Sequence, residues 1–293
     1  MNTSSIRRFF LIRADGEQKD LNGADGIWLT DPAGLGVTKT PAYANLNYGF
    51  FTTTDDKQDA QETIPFTLNF TGREPCYDYS KFVDWIFAAT GLYIGYQPEG
   101  SYGNVYTRPV SVKSIAKTEL NKVGWLTAAV TLECLAPWTR EITLEGVSGS
   151  FLTYRLWQWN AVAEGQLPGA FRLSYKAKSS RSVNKLELTY ALEDEFYQKR
   201  ISFPTPLQLA AGETLRISTA PNDYYIQHIN SDGDVLSVMD KISVSDDPLI
   251  LLPPGASGQV NDSTVPAVLQ LYVDAIDDQD ALDCTMLAYY RTV

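Results

Sequence analysis

From Thr63 to Phe70 polar and apolar residues alternate, with Ile64, Phe66, Leu68 and Phe70 falling on one side. A period of two predicts a half-buried strand. Other strand-forming runs are Arg7–Arg13, Gly26–Thr30, Phe50–Thr54 and Leu92–Gln97, followed by Val105–Lys117 and Gly124–Leu135. The last two flank Thr118-Glu119-Leu120-Asn121-Lys122 and read as an extended hairpin. Turn chemistry separates the runs: Asp15-Gly16 supplies a positive-φ position, Asp31 to Gly36 is a loop, and the polar run Asp55 to Glu62 is an exposed loop. Only one stretch changes period. Phe82, Val83, Ile86 and Ala89 recur at helical spacing, predicting a helix over Tyr79–Ala89 that Asp78 caps and Gly91 stops.

A domain break is expected near Arg140, with small, polar Glu145 to Ser150 as linker and first turn. Beyond Phe151 the pattern is nearly pure β. Strand candidates are Tyr154–Trp159, Gly169–Lys178, Asn184–Ala191, Lys199–Phe203, Thr214–Ser218, Asp223–Ile229, Val235–Met239, Leu249–Leu252, Val268–Asp274 and Asp283–Arg291. Turns such as Ala211-Gly212, Pro221-Asn222 and Asp232-Gly233 separate several of them. Many short strands at short intervals indicate a sandwich or barrel. The expected fold is therefore mostly β: a first domain with one helix over residues 1–140, then an all-β sandwich over 141–293.

Composition adds limits. The 293 residues suit two domains at roughly 100–200 residues each, and each is large enough to bury a core without metals or disulfides. Aromatics, at 12%, favour strands because flat rings pack well on a pleated surface. Residues 1–140 carry 13 basic and 15 acidic side chains, and residues 141–293 carry 11 and 20, so most of the net charge of -11 belongs to the second half. This sign repels phosphate backbones and speaks against sequence-specific nucleic-acid binding. Cys76, Cys134 and Cys284 are too far apart for a zinc motif and read as free thiols of a reduced compartment. The apolar run in Ile6–Arg13 is too short for an export signal, and no run approaches the ~20 apolar residues of a membrane span. The chain is expected to fold in a cytoplasm, without membrane insertion.

Candidate chemistry is sparse. His228 is the sole histidine and sits in a predicted strand, where a structural role outweighs an acid–base one. Gly34-Leu35-Gly36 lacks the third glycine and the helix of a dinucleotide loop, and no G-x-S-x-G elbow occurs. Asn230, Asp232 and Asp234 around Gly233 have the alternation of calcium ligands, but a hairpin turn explains them better. Asp274, Asp277, Asp278, Asp280 and Asp283 form an acidic run whose first reading is a solvated loop, with cation binding as the alternative. Trp157 and Trp159 share one face of a strand. They fill a core or, if exposed, offer a carbohydrate or partner contact. A carbohydrate-binding adhesin module is thus one functional reading. A tail polysaccharide hydrolase is a weaker one, since no carboxylate pair stands out.

The first half carries a family resemblance. Arg7-Arg8-Phe9-Phe10-Leu11-Ile12, Asp20-Leu21-Asn22, Ile27-Trp28-Leu29, Gly34-Leu35-Gly36, Phe50-Phe51 and Leu68-Asn69-Phe70 come in an order that resembles phage distal tail proteins. So do Tyr77-Asp78-Tyr79 with Phe82-Val83-Asp84-Trp85-Ile86. The most specific part is Lys117-Thr118-Glu119-Leu120-Asn121-Lys122-Val123-Gly124-Trp125-Leu126 with Leu135-Ala136-Pro137-Trp138. The resemblance covers about residues 6–140 and implies a virion structural protein without catalytic residues, cofactor or metal. It implies a tail-tube-like β-sandwich or barrel that assembles into a hexameric ring, followed by a galectin-like β-sandwich. The implied partners are other copies of the chain, the tail tube protein, the tail-associated hub protein and, in many relatives, receptor-binding proteins. The implied location is the tail tip, assembled in the host cytoplasm. The chain is too short for the large insertions by which some relatives attach receptor-binding parts. The sandwich of this family is galectin-like in shape only, so sugar binding is not carried over with it.

Overall fold

The computed structural model describes residues 7–35, 43–46, 49–52, 62–99, 103–151, 154–192, 195–221, 223–244, 250–256, 266–277 and 279–291. It divides into two compact units, Met1–Arg140 with Tyr290–Val293, and Glu141–Tyr289.

The first unit contains β1 (Arg8–Arg13), β2 (Gln18–Asp20), β3 (Ile27–Thr30), β4 (Tyr43–Leu46), β5 (Gly49–Thr52), β6 (Thr63–Phe70), helix α1 (Pro75–Phe87), β7 (Leu92–Gln97), β8 (Tyr106–Lys117) and β9 (Leu126–Cys134), and β10 (Trp138–Thr143) begins in it. β4 and β5 form a separate two-stranded hairpin. The other strands pair antiparallel in the order β2-β1-β7-β8-β9-β6-β3.

The segment after β2 joins the two ends of that series. The Leu21 N–H donates to the Phe9 carbonyl at 3.0 Å, and the Leu29 N–H donates to the Leu21 carbonyl at 2.8 Å. Asn22 locks the junction. Its Oδ1 accepts the Phe9 N–H at 3.0 Å, while its Nδ2 donates to the Phe9 carbonyl at 2.9 Å and to Asp20 Oδ1 at 2.8 Å. Asp20 in turn holds Arg8 at 2.8 Å. The Asp20-Leu21-Asn22 motif therefore closes the sheet into a barrel and covers the edges of β2 and β3, which would otherwise invite aggregation.

Alternation fills the barrel. Ile64, Phe66, Leu68 and Phe70 of β6 face Leu126, Ala128, Val130 and Leu132 of β9, all buried. The helix lays Phe82 edge-on to Phe70 with ring centroids 5.7 Å apart. Each such side chain contributes about 1.5–3 kcal/mol through burial.

The helix starts a turn earlier than the periodicity predicts, because Pro75 occupies its first turn, where a missing N–H costs nothing. Asp78 is not the cap. It lies inside the first turn, and Glu74 holds the N-cap position without a side-chain bond. Nor does Gly91 end the helix, which stops at Phe87 with Ala88 as C-cap. The Gly91 carbonyl instead accepts the Ala14 N–H at 2.9 Å.

Gly34 has φ +73, and a Cβ there would collide with the Thr63 carbonyl oxygen. Of the Gly34-Leu35-Gly36 run, Gly36 lies outside the described residues, as does the polar loop up to residue 61. A Gly34→Ala substitution is expected to cost about 1–2 kcal/mol in backbone strain, plus whatever displacing Thr63 requires. A lowered thermal midpoint would register it, and an unchanged midpoint would refute this packing.

The second unit holds β11 (Gly146–Phe151), β12 (Tyr154–Ala161), β13 (Leu167–Lys176), β14 (Arg181–Leu192), β15 (Glu195–Leu209), β16 (Thr214–Ser218), β17 (Tyr225–Ile229), β18 (Val235–Ser237), a 3₁₀ turn (Met239–Lys241), β19 (Ser243–Val244), β20 (Ala267–Val273) and β21 (Ala281–Tyr290, whose last residue belongs to the first unit). Two antiparallel sheets result, β18-β17-β16-β13-β21 and β11-β12-β20-β14-β15-β19. Both alternate. Phe171, Leu173 and Tyr175 are buried on one, and Leu186, Leu188, Leu269, Leu271 and Val273 on the other.

The expected linker Glu145 to Ser150 is mostly strand. Gly146 to Ser150 belong to β11, which pairs along β12. Its glycines serve packing, because the Trp159 indole lies 2.8 Å from where a Gly146 Cβ would sit. The expected strand Leu249–Leu252 is also absent as such. Residue 249 lies outside the described residues, and Leu252 makes a single bridge to Gly169.

Candidate functional site

His228, on β17, places Nε2 2.8 Å from Glu213 Oε2. Glu213 also accepts the Ala210 N–H at 2.7 Å. That backbone donor first, and His228 second, hold the Glu213 carboxyl below its usual range. The pair ties β17 to the turn between β15 and β16, which is a structural task.

The Asn230–Asp234 run is the β17–β18 turn. Asn230 Oδ1 accepts the N–H groups of Asp232 at 3.0 Å and Asp234 at 2.8 Å, and Gly233 takes φ +88. These bonds make it a hairpin turn.

The late acidic run splits apart. Asp280 is buried, its Oδ2 accepting the Tyr175 hydroxyl at 3.0 Å and its Oδ1 the Lys178 N–H at 2.8 Å. Arg181 Nε approaches it to 3.5 Å. Asp277 is a helper of this knot, donating its N–H to Asp280 at 3.2 Å. Asp283 points outward on β21, and Asp278 lies outside the described residues. Among the described residues no group of three or more His, Cys, Asp or Glu side chains is placed to hold a metal ion. Cys134 and Cys284 are buried and Cys76 is exposed, all as free thiols. Burial pushes the Cys284 thiol up to about 12, which keeps it protonated and inert.

Trp157 and Trp159 face the same way, opposite Leu271 and Leu269 of β20. Trp159 is 1% exposed and belongs to the core; Trp157 is half-buried. The two indoles do not form a platform open to a ligand.

Sequence reasoning missed the apolar side chains left on the surface of the first unit. Phe87, Tyr93 and Leu135 are exposed around one groove, and Leu120, Val123 and Trp125 are exposed at the tip of the β8–β9 hairpin. A strand pattern does not reveal them, because apolar residues at a turn or at an element end read as core. Exposed apolar clusters mark contact surfaces, so the chemistry this surface offers is association.

Comparison with known proteins agrees with that character. Residues 8–135 match the family model described as the distal tail protein, N-terminal domain. No curated protein sequence matches the chain. Among solved structures, a chain from the phage P2 baseplate in its activated conformation with calcium superposes with a TM-score of 0.63 at 14% identity, covering 98% of this chain and 100% of that one. The strontium form gives the same values. The Dit protein of phage SPP1 has a TM-score of 0.53 at 14% identity, covering 90% of this chain and 98% of that one. At such identity these likenesses speak for the fold. The sequence match over the closed barrel and its helix speaks for descent, and it identifies residues 8–135 as the N-terminal domain of a distal tail protein, a structural tail component.

Proposed function

We propose that the chain forms a homohexameric ring at the tail tip, joining the tail tube to the tail-associated hub protein and supporting host-attachment parts. Residues 1–140 build the ring, and residues 141–293 form a galectin-like sandwich. The supporting observation is the distal tail N-terminal domain over residues 8–135, folded as a barrel with exposed apolar side chains on two separate regions of its surface. Among the described residues β8 beyond Val110 pairs with β9 alone, so both that open edge and the exposed side chains offer surfaces through which copies can associate. A head-to-tail contact between two unlike surfaces generates a ring when the rotation closes. The likeness to a P2 baseplate chain along nearly the whole length supports the same two-part plan.

Solution mass by multi-angle light scattering, with negative-stain imaging of the same sample, tests the ring. A mass six times that of the 32.6 kDa chain, with particles showing a central hole, is the expected result. A chain that stays monomeric at high concentration contradicts self-assembly.

A further inference from the structure

Two exposed apolar features of the first unit differ in shape. One is a groove of about 420 Å³ among the end of α1, β7, β8 and the residue after β9. Phe87 (65% exposed), Leu135 (58%) and Tyr93 (39%) border it. The other is a knob. At the β8–β9 tip Val123 is 72% exposed, Leu120 49% and Trp125 44%. The knob is built to hold its shape. Asn121 Oδ1 accepts the N–H groups of Val123 at 3.0 Å and Trp125 at 2.9 Å, and Gly124 takes φ +83. Below it Thr118 and Thr127 are joined through both backbone and side chain.

We infer that the hairpin tip of one copy seats in the groove of the next, and that this is the head-to-tail contact of the ring; the inference rests on the ring reading above. A chain cannot fill its own groove. Val112 lines the groove and Asn121 forms the tip of the same hydrogen-bonded ladder, so nine residues, about 30 Å at ~3.3 Å each, hold the two apart. A neighbouring copy displaced by that reach brings knob and groove together. The same displacement repeated from copy to copy leaves no tip unused once the ring closes.

Charge matches as well. The tip, residues 118–125, carries one charge of each sign, Glu119 and Lys122. The groove lining holds no charged residue. At its margins stand exposed Asp84, one turn before Phe87, and Glu133, which accepts a hydrogen bond from the groove residue Ser111 at 3.5 Å. A net-neutral apolar tip suits a groove lined without charge, because neither surface then buries an unpaired ion.

The test uses the full chain with Val123→Asp, which spoils the knob, and Leu135→Asp, which spoils the groove. Each variant alone is expected to lose the ring, its mass falling six-fold to that of a monomer. Mixed one to one, they are expected to give a species of two chains, because the intact tip of the Leu135→Asp chain still fits the intact groove of the Val123→Asp chain. Recovery of that dimer also shows that both variants are folded. If wild-type rings form and either variant forms them equally well, or the mixture stays monomeric, the contact is wrong while the ring stands. If the wild-type chain never rises above a monomer, ring and contact fall together.

Discussion

Replacing Arg108 by alanine is expected to destabilise the first unit by about 3–5 kcal/mol, the range seen when one member of a buried ion pair is removed. Arg108 Nη1 lies 2.7 Å from Glu62 Oε2, and the two side chains are only 9% and 6% exposed. The Arg108 Nε also donates to the Ala136 carbonyl at 2.6 Å, and the guanidinium lies 5.7 Å from the centre of the buried Trp138 ring. Truncation takes all three away and leaves the Glu62 charge in a low-dielectric interior without the guanidinium that faces it. The pair itself is not a large net gain, because desolvation offsets most of its attraction. A double replacement, Arg108→Met with Glu62→Leu, is therefore expected to recover most of the loss. Denaturant titration followed by tryptophan fluorescence reads both variants. A loss below about 1 kcal/mol for Arg108→Ala would mean that the pair behaves as a solvated surface bridge.

Alkali is expected to open the second unit before the first. Tyr175, Tyr224, Tyr272 and Tyr289 all have hydroxyls pushed up, mainly by burial. For Tyr175 the negative charge of Asp280 beside it adds to the rise. Tyr272, next to Glu187, reaches about 12, as does the Cys284 thiol. All five belong to Glu141–Tyr289, whereas in the first unit only Cys134 is raised among the described residues.

The sign follows from proton counts. Above about pH 9 for a thiol and 10 for a phenol the unfolded chain gives up protons that the folded chain retains, so stability falls as pH rises. It is fully present below those values and is lost towards pH 12. Each fully buried group removes about 1.4 kcal/mol per pH unit in that window, and Tyr175 and Cys284, 0% and 1% exposed, are the two to count. Calorimetry between pH 8 and 12 should show one transition moving down faster than the other. Tyr175→Phe should make that shift shallower. Two transitions that move together would contradict the assignment.

How much of this was legible in the chain varies with the physics involved. Strand β6 has the bounds that alternation predicts, and the β8–β9 hairpin differs only at its ends, because a side-chain period of two is a local property. The helix was visible by its period but not by its limits. Pro75 outranked Asp78 as a starting signal, since a proline in the first turn sacrifices no bond. Gly146 and Gly149 looked like linker residues because glycine usually marks flexibility. In β11 at least Gly146 makes room for the Trp159 ring, a demand set by a residue on another strand.

The candidate site divides the same way. The Asn230–Asp234 turn was readable, since its bonds run between residues at most four apart. The acidic run near Asp280 was not, because the donors to Asp280 include Tyr175, 105 residues away. Arg108 falls on the side of β8 that also carries Val110, a charge where alternation asks for an apolar residue, and its counterpart Glu62 is 46 residues earlier.

The sequence by itself determined the strand periodicity, the single helix, the turns and the family motifs of the first half, all of which depend on neighbours within a few residues. Only the tertiary structure decided which of those apolar side chains stay outside. Burial is a property of the whole packed surface, so Phe87 and Val123 became contact candidates, and Trp159 ceased to be one, once the chain had closed around its cores.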